Sequence, residues 1–261
     1  MIKFFRKIRY DLMEQNKTGK YFKYAIGEII LVVIGILIAI SINNWNEDRK
    51  DQLRLKNHYV ELINELNNDI DNLKFDIENV REINNQTFEI SEFINSSQSK
   101  IDTTKIVDAL LSAEPYAFFS ISKSVYTTLL SSGDIQLIEN KQLKNALSIY
   151  HDVKSWDWTA HDGNLKDAIE RYAYYVHKFL PPLLFRDYYI KGYYPNVKNE
   201  KFNTYITNKK PKIEWERLKN DEEFGTIISQ LIQYRVFQLR FYNKQLQKII
   251  KMVYLIQTEL K

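Results

Sequence analysis

Ala25 to Ile42 reads AIGEIILVVIGILIAISI, eighteen residues with a single charge, Glu28. Tyr21, Phe22 and Tyr24 stand before this run and Trp45 stands after it. From Tyr24 to Trp45 the chain rises about 31 Å as a helix, at roughly 1.5 Å per residue. That matches a hydrocarbon core of ~30 Å with an aromatic belt at each face, here Tyr21 and Tyr24 at one and Trp45 at the other. The run therefore predicts one transmembrane helix over residues 25–45. Lys3, Arg6, Lys7, Arg9, Lys17, Lys20 and Lys23 precede it. An equal stretch after it carries Arg49, Lys50, Arg54 and Lys56 with as many acids. Basic residues collect on the cytoplasmic side. Residues 1–24 are thus expected to form a cytoplasmic tail, and residues 46–261 to lie outside the cytoplasm.

A cleaved signal peptide is the rival reading, with Ile29 to Leu37 as its apolar region and Ala39-Ile40-Ser41 as a weak cleavage site. The long basic leader and the poor small-residue site favour retention. Glu28 sits one turn inside the belt, where it can snorkel toward headgroups or pair with Lys20 or Lys23. The spacing also supports a sharper reading. Glu28, Gly35 and Ala39 share one helix face, and Gly35-xxx-Ala39 is a small-xxx-small pair that lets helices approach closely. That face predicts self-association, or a membrane-protein partner. In the leader, Ile2, Phe5, Ile8 and Leu12 fall on one side and bases on the other. This fits a helix lying on anionic lipid, or simply a basic leader.

Seven glycines and five prolines are well under half of the roughly 30 that average usage gives for this length. Turns are few and elements long. Charged residues make up 27% of the chain and the net charge is only +4, so no nucleic-acid footprint is present. There are no cysteines, which excludes disulfides, thiolate zinc sites and cysteine nucleophiles.

Helical periodicity dominates the rest. Leu55, Tyr59, Leu62, Leu66, Ile70, Leu73, Ile77 and Val80 recur at spacings of three and four. Neither Pro nor Gly occurs between Gly35 and Ile94, so the membrane helix is free to continue into this stripe. Asp102 suits the cap of a helix through Leu111; Pro115 interrupts, and Ser122 to Ser132 forms another helix closed by Gly133. Leu143, Leu147 and Tyr150, then Leu165, Ile169, Tyr172, Val176 and Phe179, mark a third region ending at Pro181-Pro182. The fourth carries Phe224, Ile228, Leu231, Leu239, Tyr242, Leu246, Ile249, Val253, Ile256 and Leu260, with Asn220 and Glu223 as a capping box. The expected fold class is all-α: one N-terminal transmembrane helix, then an extracytoplasmic antiparallel bundle of long helices.

Between the third and fourth regions, Pro181 to Pro211 is rich in aromatics and bases. Tyr188, Tyr189, Lys191, Tyr193 and Tyr194 suit a glycan or anionic ligand, or else cap the bundle end. Catalytic motifs are missing: no Gly-rich phosphate loop, no G-x-S-x-G elbow, no H-E-x-x-H. His151-Asp152 and His161-Asp162 are metal-ligand types, but ten residues along one helix would part them by about 15 Å. A metal site built from His58 and His151 stays open, and Trp156 and Trp158 are expected in buried packing. Arg235 falls on the apolar seam of the last helix, as an ion pair, a snorkelling stem or a buried register device. No cofactor is expected.

Tyr24 to Ile29 (YAIGEI), Leu31 to Ala39 (LVVIGILIA) and Ile42 to Glu47 (INNWNE), behind a Phe-Arg-Lys leader, resemble the signature of an uncharacterised bacterial family of membrane-anchored proteins. Ser131-Ser132-Gly133-Asp134 resembles a Ser-Gly turn of that family. The resemblance implies a retained anchor in the inner membrane and a periplasmic helical domain. It implies no activity. The leading functional expectation is a non-enzymatic interaction or scaffold module, with membrane lipid and a second copy or another membrane protein as partners. The alternatives are a ligand-sensing bundle acting through a membrane partner, and a helical cell-envelope hydrolase.

Overall fold

A computed structural model of the chain describes residues 18–96, 102–156, 158–180 and 213–261, with Arg6 and Tyr10. All regular structure among them is helical, with no strand. The long helices are α1 (Thr18–Asn95), α5 (Trp158–Phe179) and α7 (Glu222–Glu259). The shorter ones are α2 (Thr103–Ser112), α3 (Ser124–Ser132), α4 (Lys141–His151) and α6 (Trp215–Lys219). Tight 3-10 turns follow α3 and α4, at Asp134–Leu137 and Val153–Ser155. The chain divides into two compact units, Met1–His58 and Tyr59–Lys261, and α1 contributes to each.

In the first unit, α1 is apolar and exposed on every side between Ile29 and Ile40. Ile29, Ile30, Leu31, Val32, Val33, Ile34, Ile36, Leu37, Ile38 and Ile40 are consecutive or nearly so, and all are exposed. A helix that is apolar all round has no face for water. Burying each such side chain is worth roughly 1.5–3 kcal/mol. This is the one helix among the described residues long and apolar enough to cross a membrane.

In the second unit the stripe read from sequence is the core. Tyr59, Leu62, Leu66, Leu73, Ile77 and Val80 of α1 are buried, and so are Leu143, Leu147, Tyr150, Leu165, Tyr172, Val176 and Phe179. On α7 the packing face is Phe224, Ile227, Ile228, Leu231, Phe241, Tyr242, Ile249, Met252, Val253 and Ile256. Its middle differs from the expected apolar seam. Arg235, Gln238 and Gln245 are buried there, while Leu239 and Leu246 are only half-buried.

Helix ends follow local chemistry. Asp102 accepts from the Lys105 N–H at 3.2 Å, as a helix-capping acid should. Gly133 closes α3 in the left-handed region, φ 81°, its N–H donating to the Leu130 carbonyl. Two expectations are corrected. The cap of α7 is Asp221, which accepts from the Phe224 N–H at 2.9 Å, not an Asn220–Glu223 box. Asn220 instead closes α6, donating its amide to the Glu216 carbonyl. The third region is not one helix. The chain leaves α4 at Asp152 and restarts at Trp158, so His151 and His161 belong to different helices. Trp158 is buried, as expected.

Candidate functional site

The most heavily organised place in the second unit is an irregular segment, residues 113–123, that joins α2 to α3. It begins because Pro115 cannot donate a backbone hydrogen bond and disfavours helix in the residue before it. Part of the segment is buried: Ala113 and Phe119 are 0% and 4% exposed. Its backbone groups therefore need partners. Side chains from the long helices supply them.

α7 holds the start and middle. Arg235 donates to the Ala113 carbonyl and to the Thr87 hydroxyl. Gln238 Nε2 donates to the Ala117 carbonyl at 2.7 Å. Tyr242 Oη accepts from the Phe119 N–H at 3.0 Å and donates to the Ala117 carbonyl at 3.3 Å. Residues 235, 238 and 242 stand at spacings of three and four, one face of one helix. Arg235 is 2% exposed and burial pushes its guanidinium down to about 10, so it is charged at neutral pH. It reaches no carboxylate among the described residues and stays out of solvent, so among them it forms neither the ion pair nor the snorkelling stem. It faces the C-terminal end of α2, where helix carbonyls concentrate negative potential. Tyr172 adds to that end, donating to the Leu110 carbonyl at 2.7 Å.

α1 holds the end of the segment. Asp69 is 0% exposed; it accepts from the Ser122 N–H at 3.1 Å and from the Tyr150 hydroxyl at 2.7 Å. Glu65, one turn earlier, accepts from the Ser124 hydroxyl at 2.6 Å and the Val125 N–H at 3.1 Å. Lys123, the residue before α3, offers no side-chain cap. The two carboxylates of α1 take that role and meet the positive end of α3. Burial, first, and the neighbouring Asp69, second, push the Tyr150 phenol far above its ordinary range. α5 contributes Asp162, which accepts from Tyr116, from Trp158 Nε1 at 3.2 Å and from Lys166 at 2.7 Å. The ring of Phe119 lies against Trp156 and Tyr242.

The residues singled out from sequence are placed as follows. Glu28 is half-exposed on α1, and Gly35 and Ala39 are exposed. Open space surrounds Gly35, where an added Cβ would meet nothing within 4 Å. Trp45 is exposed. Tyr21 and Tyr24 lie on α1, with side chains outside the described residues, as are Tyr188, Tyr189, Lys191, Tyr193 and Tyr194. Most of the basic leader lies outside them too. No group of three or more His, Asp or Glu side chains able to hold a metal ion occurs among the described residues. Asp162 holds a tyrosine, a tryptophan and a lysine, and His161 packs against Phe237.

Sequence reasoning missed Glu65, Asp69, Thr87, Gln238 and Tyr242 as a group. One signal was available: Glu65 and Asp69 interrupt α1 on the turn beside its apolar stripe, at the helical spacing of four. No curated protein and no solved structure matches the chain. A family model does, over residues 28–172, which is more than half of the chain and runs from Glu28 of the apolar run to Tyr172 of the segment's holders. The chain belongs to that family, the family of unknown function DUF6090.

Proposed function

We propose that the protein is a single-pass inner-membrane protein whose periplasmic unit is a non-enzymatic interaction or scaffold module. In this reading residues 1–24 are the cytoplasmic tail, 25–45 the transmembrane helix and 46–261 the periplasmic domain. The observation that carries the anchor is the run Ile29 to Ile40, exposed on all sides of α1, which only lipid or other helices can cover. The orientation rests on the basic residues before it. The domain is an antiparallel bundle. Ser91 to Asn95 at the end of α1 line one cleft with Glu222 to Ser229 at the start of α7, and Thr87, earlier on α1, meets Arg235, later on α7.

The non-enzymatic reading rests on how the buried charges are used. Glu65, Asp69 and Arg235 each hold the protein's own backbone or side chains. Membrane lipid is one partner. The other is a second copy, met through Glu28, Gly35 and Ala39, or another membrane protein at the same face.

Two experiments test this. The native chain has no cysteine, so single cysteines introduced at Gln15 and at Lys178 are clean reporters. A membrane-impermeant maleimide applied to cells with a permeabilised outer membrane is expected to label position 178 and not 15. The reverse pattern overturns the orientation. Crosslinking in intact cells is expected to capture a second copy or a defined membrane protein, and Gly35→Leu to abolish that capture. Capture of no protein partner sinks the scaffold reading, and capture unchanged by Gly35→Leu sinks the membrane face.

A ligand-sensing unit acting through a membrane partner is the second reading. An open cleft of about 520 Å³ favours it, with Asp76, Glu82 and Gln86 along α1 and Tyr116 and Phe118 opposite. Burial raises the Asp76 carboxyl above its ordinary value, which is the condition a cationic ligand would relieve.

A further inference from the structure

The amino-terminal clamp on α3 includes a side chain that the fold leaves half-used. His151, in the last turn of α4, is 8% exposed. Its Nδ1 lies 2.8 Å from the Leu147 carbonyl. A carbonyl only accepts, so Nδ1 carries the hydrogen and the neutral ring keeps its lone pair on Nε2. That Nε2 is buried with no hydrogen-bond partner. The ring lies flat on Tyr126 of α3, centroids 4.1 Å apart and planes 10° from parallel. Tyr126 follows directly on Val125, whose N–H is held by Glu65. Glu65 has the second unpartnered atom of the cluster, its buried Oε1.

We propose that His151 is a proton-responsive latch on α3: protonation at Nε2 loosens α3 from the α1 carboxylates and the α4 ring that hold it. The charged and titratable groups facing the imidazole are Glu65 and Asp69 from α1, Lys123 and Tyr126 at the start of α3, and Tyr150 beside it on α4. A proton on Nε2 would place a cationic N–H at a buried atom that has no hydrogen-bond acceptor, beside the rings of Tyr126 and Tyr150. Burial, the largest influence, keeps the imidazole pKa below its ordinary 6.5, and Lys123 acts in the same direction. The Leu147 carbonyl, Glu65 and Asp69 pull the other way without prevailing.

The sign follows. The unfolded chain takes up the proton near pH 6.5 and the folded chain only at lower pH. Stability is therefore full above pH ~6.5 and falls as pH drops from there toward the folded pKa, where the loss levels off. The loss concentrates on α3, because that helix is the one the ring covers. At nine residues it is below the ~12–15 that sustain an isolated helix, so it depends on its clamps. Release would uncover Leu129, which is 0% exposed.

The test is hydrogen exchange on the full chain in lipid nanodiscs at about pH 7.5 and about pH 5.5, each corrected for intrinsic exchange, bracketing the ordinary histidine pKa of ~6.5. Peptides covering residues 124–132 are expected to lose protection severalfold at the lower pH, while peptides of α7 hold theirs. His151→Phe keeps a flat ring on Tyr126 and cannot take a proton, and it is expected to remove the difference. Equal α3 protection at both pH values, or a difference that survives in His151→Phe, overturns the latch. Should that variant fail to fold, the wild-type protein still decides: imidazole titration by NMR with labelled histidine must place His151 below the ordinary value, and a pKa at or above it overturns the proposal.

Discussion

Arg235→Ala is expected to lower the folding stability of the second unit by about 3–5 kcal/mol, among the largest effects of any single substitution in the chain. Two contributions combine. Truncation removes a large side chain that is 2% exposed, leaving a cavity among packed helices. It also leaves the Ala113 carbonyl and the Thr87 hydroxyl without the donor that serves them both. Among the described residues no carboxylate faces the guanidinium, so its removal strands no buried anion there. Denaturant unfolding of the full chain in detergent, followed by helical circular dichroism, gives the number. Arg235→Lys should recover part of the loss, since one ammonium can serve one acceptor but not span both. A loss under ~1 kcal/mol for Arg235→Ala would mean that the segment is held without it.

Asp69→Ala is expected to cost about 2–6 kcal/mol, the sum of two buried donors left unsatisfied at ~1–3 kcal/mol each. The donors are the Ser122 N–H and the Tyr150 hydroxyl. Asp69→Asn should cost less, because an amide oxygen in the place of Oδ2 can still accept from both the Tyr150 hydroxyl at 2.7 Å and the Ser122 N–H at 3.3 Å. Unfolding in the same detergent system separates the two variants. Equal stability for Asp69→Ala and wild type would show that water enters and serves both donors. The two substitutions act at opposite ends of residues 113–123, without a shared partner. Their effects are therefore expected to add within ~0.5 kcal/mol in the double variant, unless the whole segment releases at once.

Much of this was legible in the residue pattern. The apolar run announced itself by length and by its aromatic borders, and the α1 stripe from Tyr59 to Val80 is buried as its spacing implied. Gly133 was readable as a helix stop because a left-handed residue is nearly always glycine. The apolar seam expected on α7 failed for a physical reason. Periodicity marks which face of a helix is buried, but it assumes that what lies opposite is apolar. Opposite α7 lies a stretch of bare backbone, and backbone needs donors and acceptors. At the centre of the core Leu239 therefore gives way to Gln238, and Arg235 turns inward to the Ala113 carbonyl.

The sequence by itself determined the class of structure and the long apolar run, because both follow from local quantities: apolar length, helical period, the scarcity of glycine and proline. Only the tertiary structure decided that Glu65 and Asp69 cap a helix some fifty residues further along the chain, and that Arg235, Gln238 and Tyr242 hold residues 113–119. A buried carbonyl or N–H carries no mark in the side-chain sequence. Its demand for a partner appears only when the chain has folded it away from water.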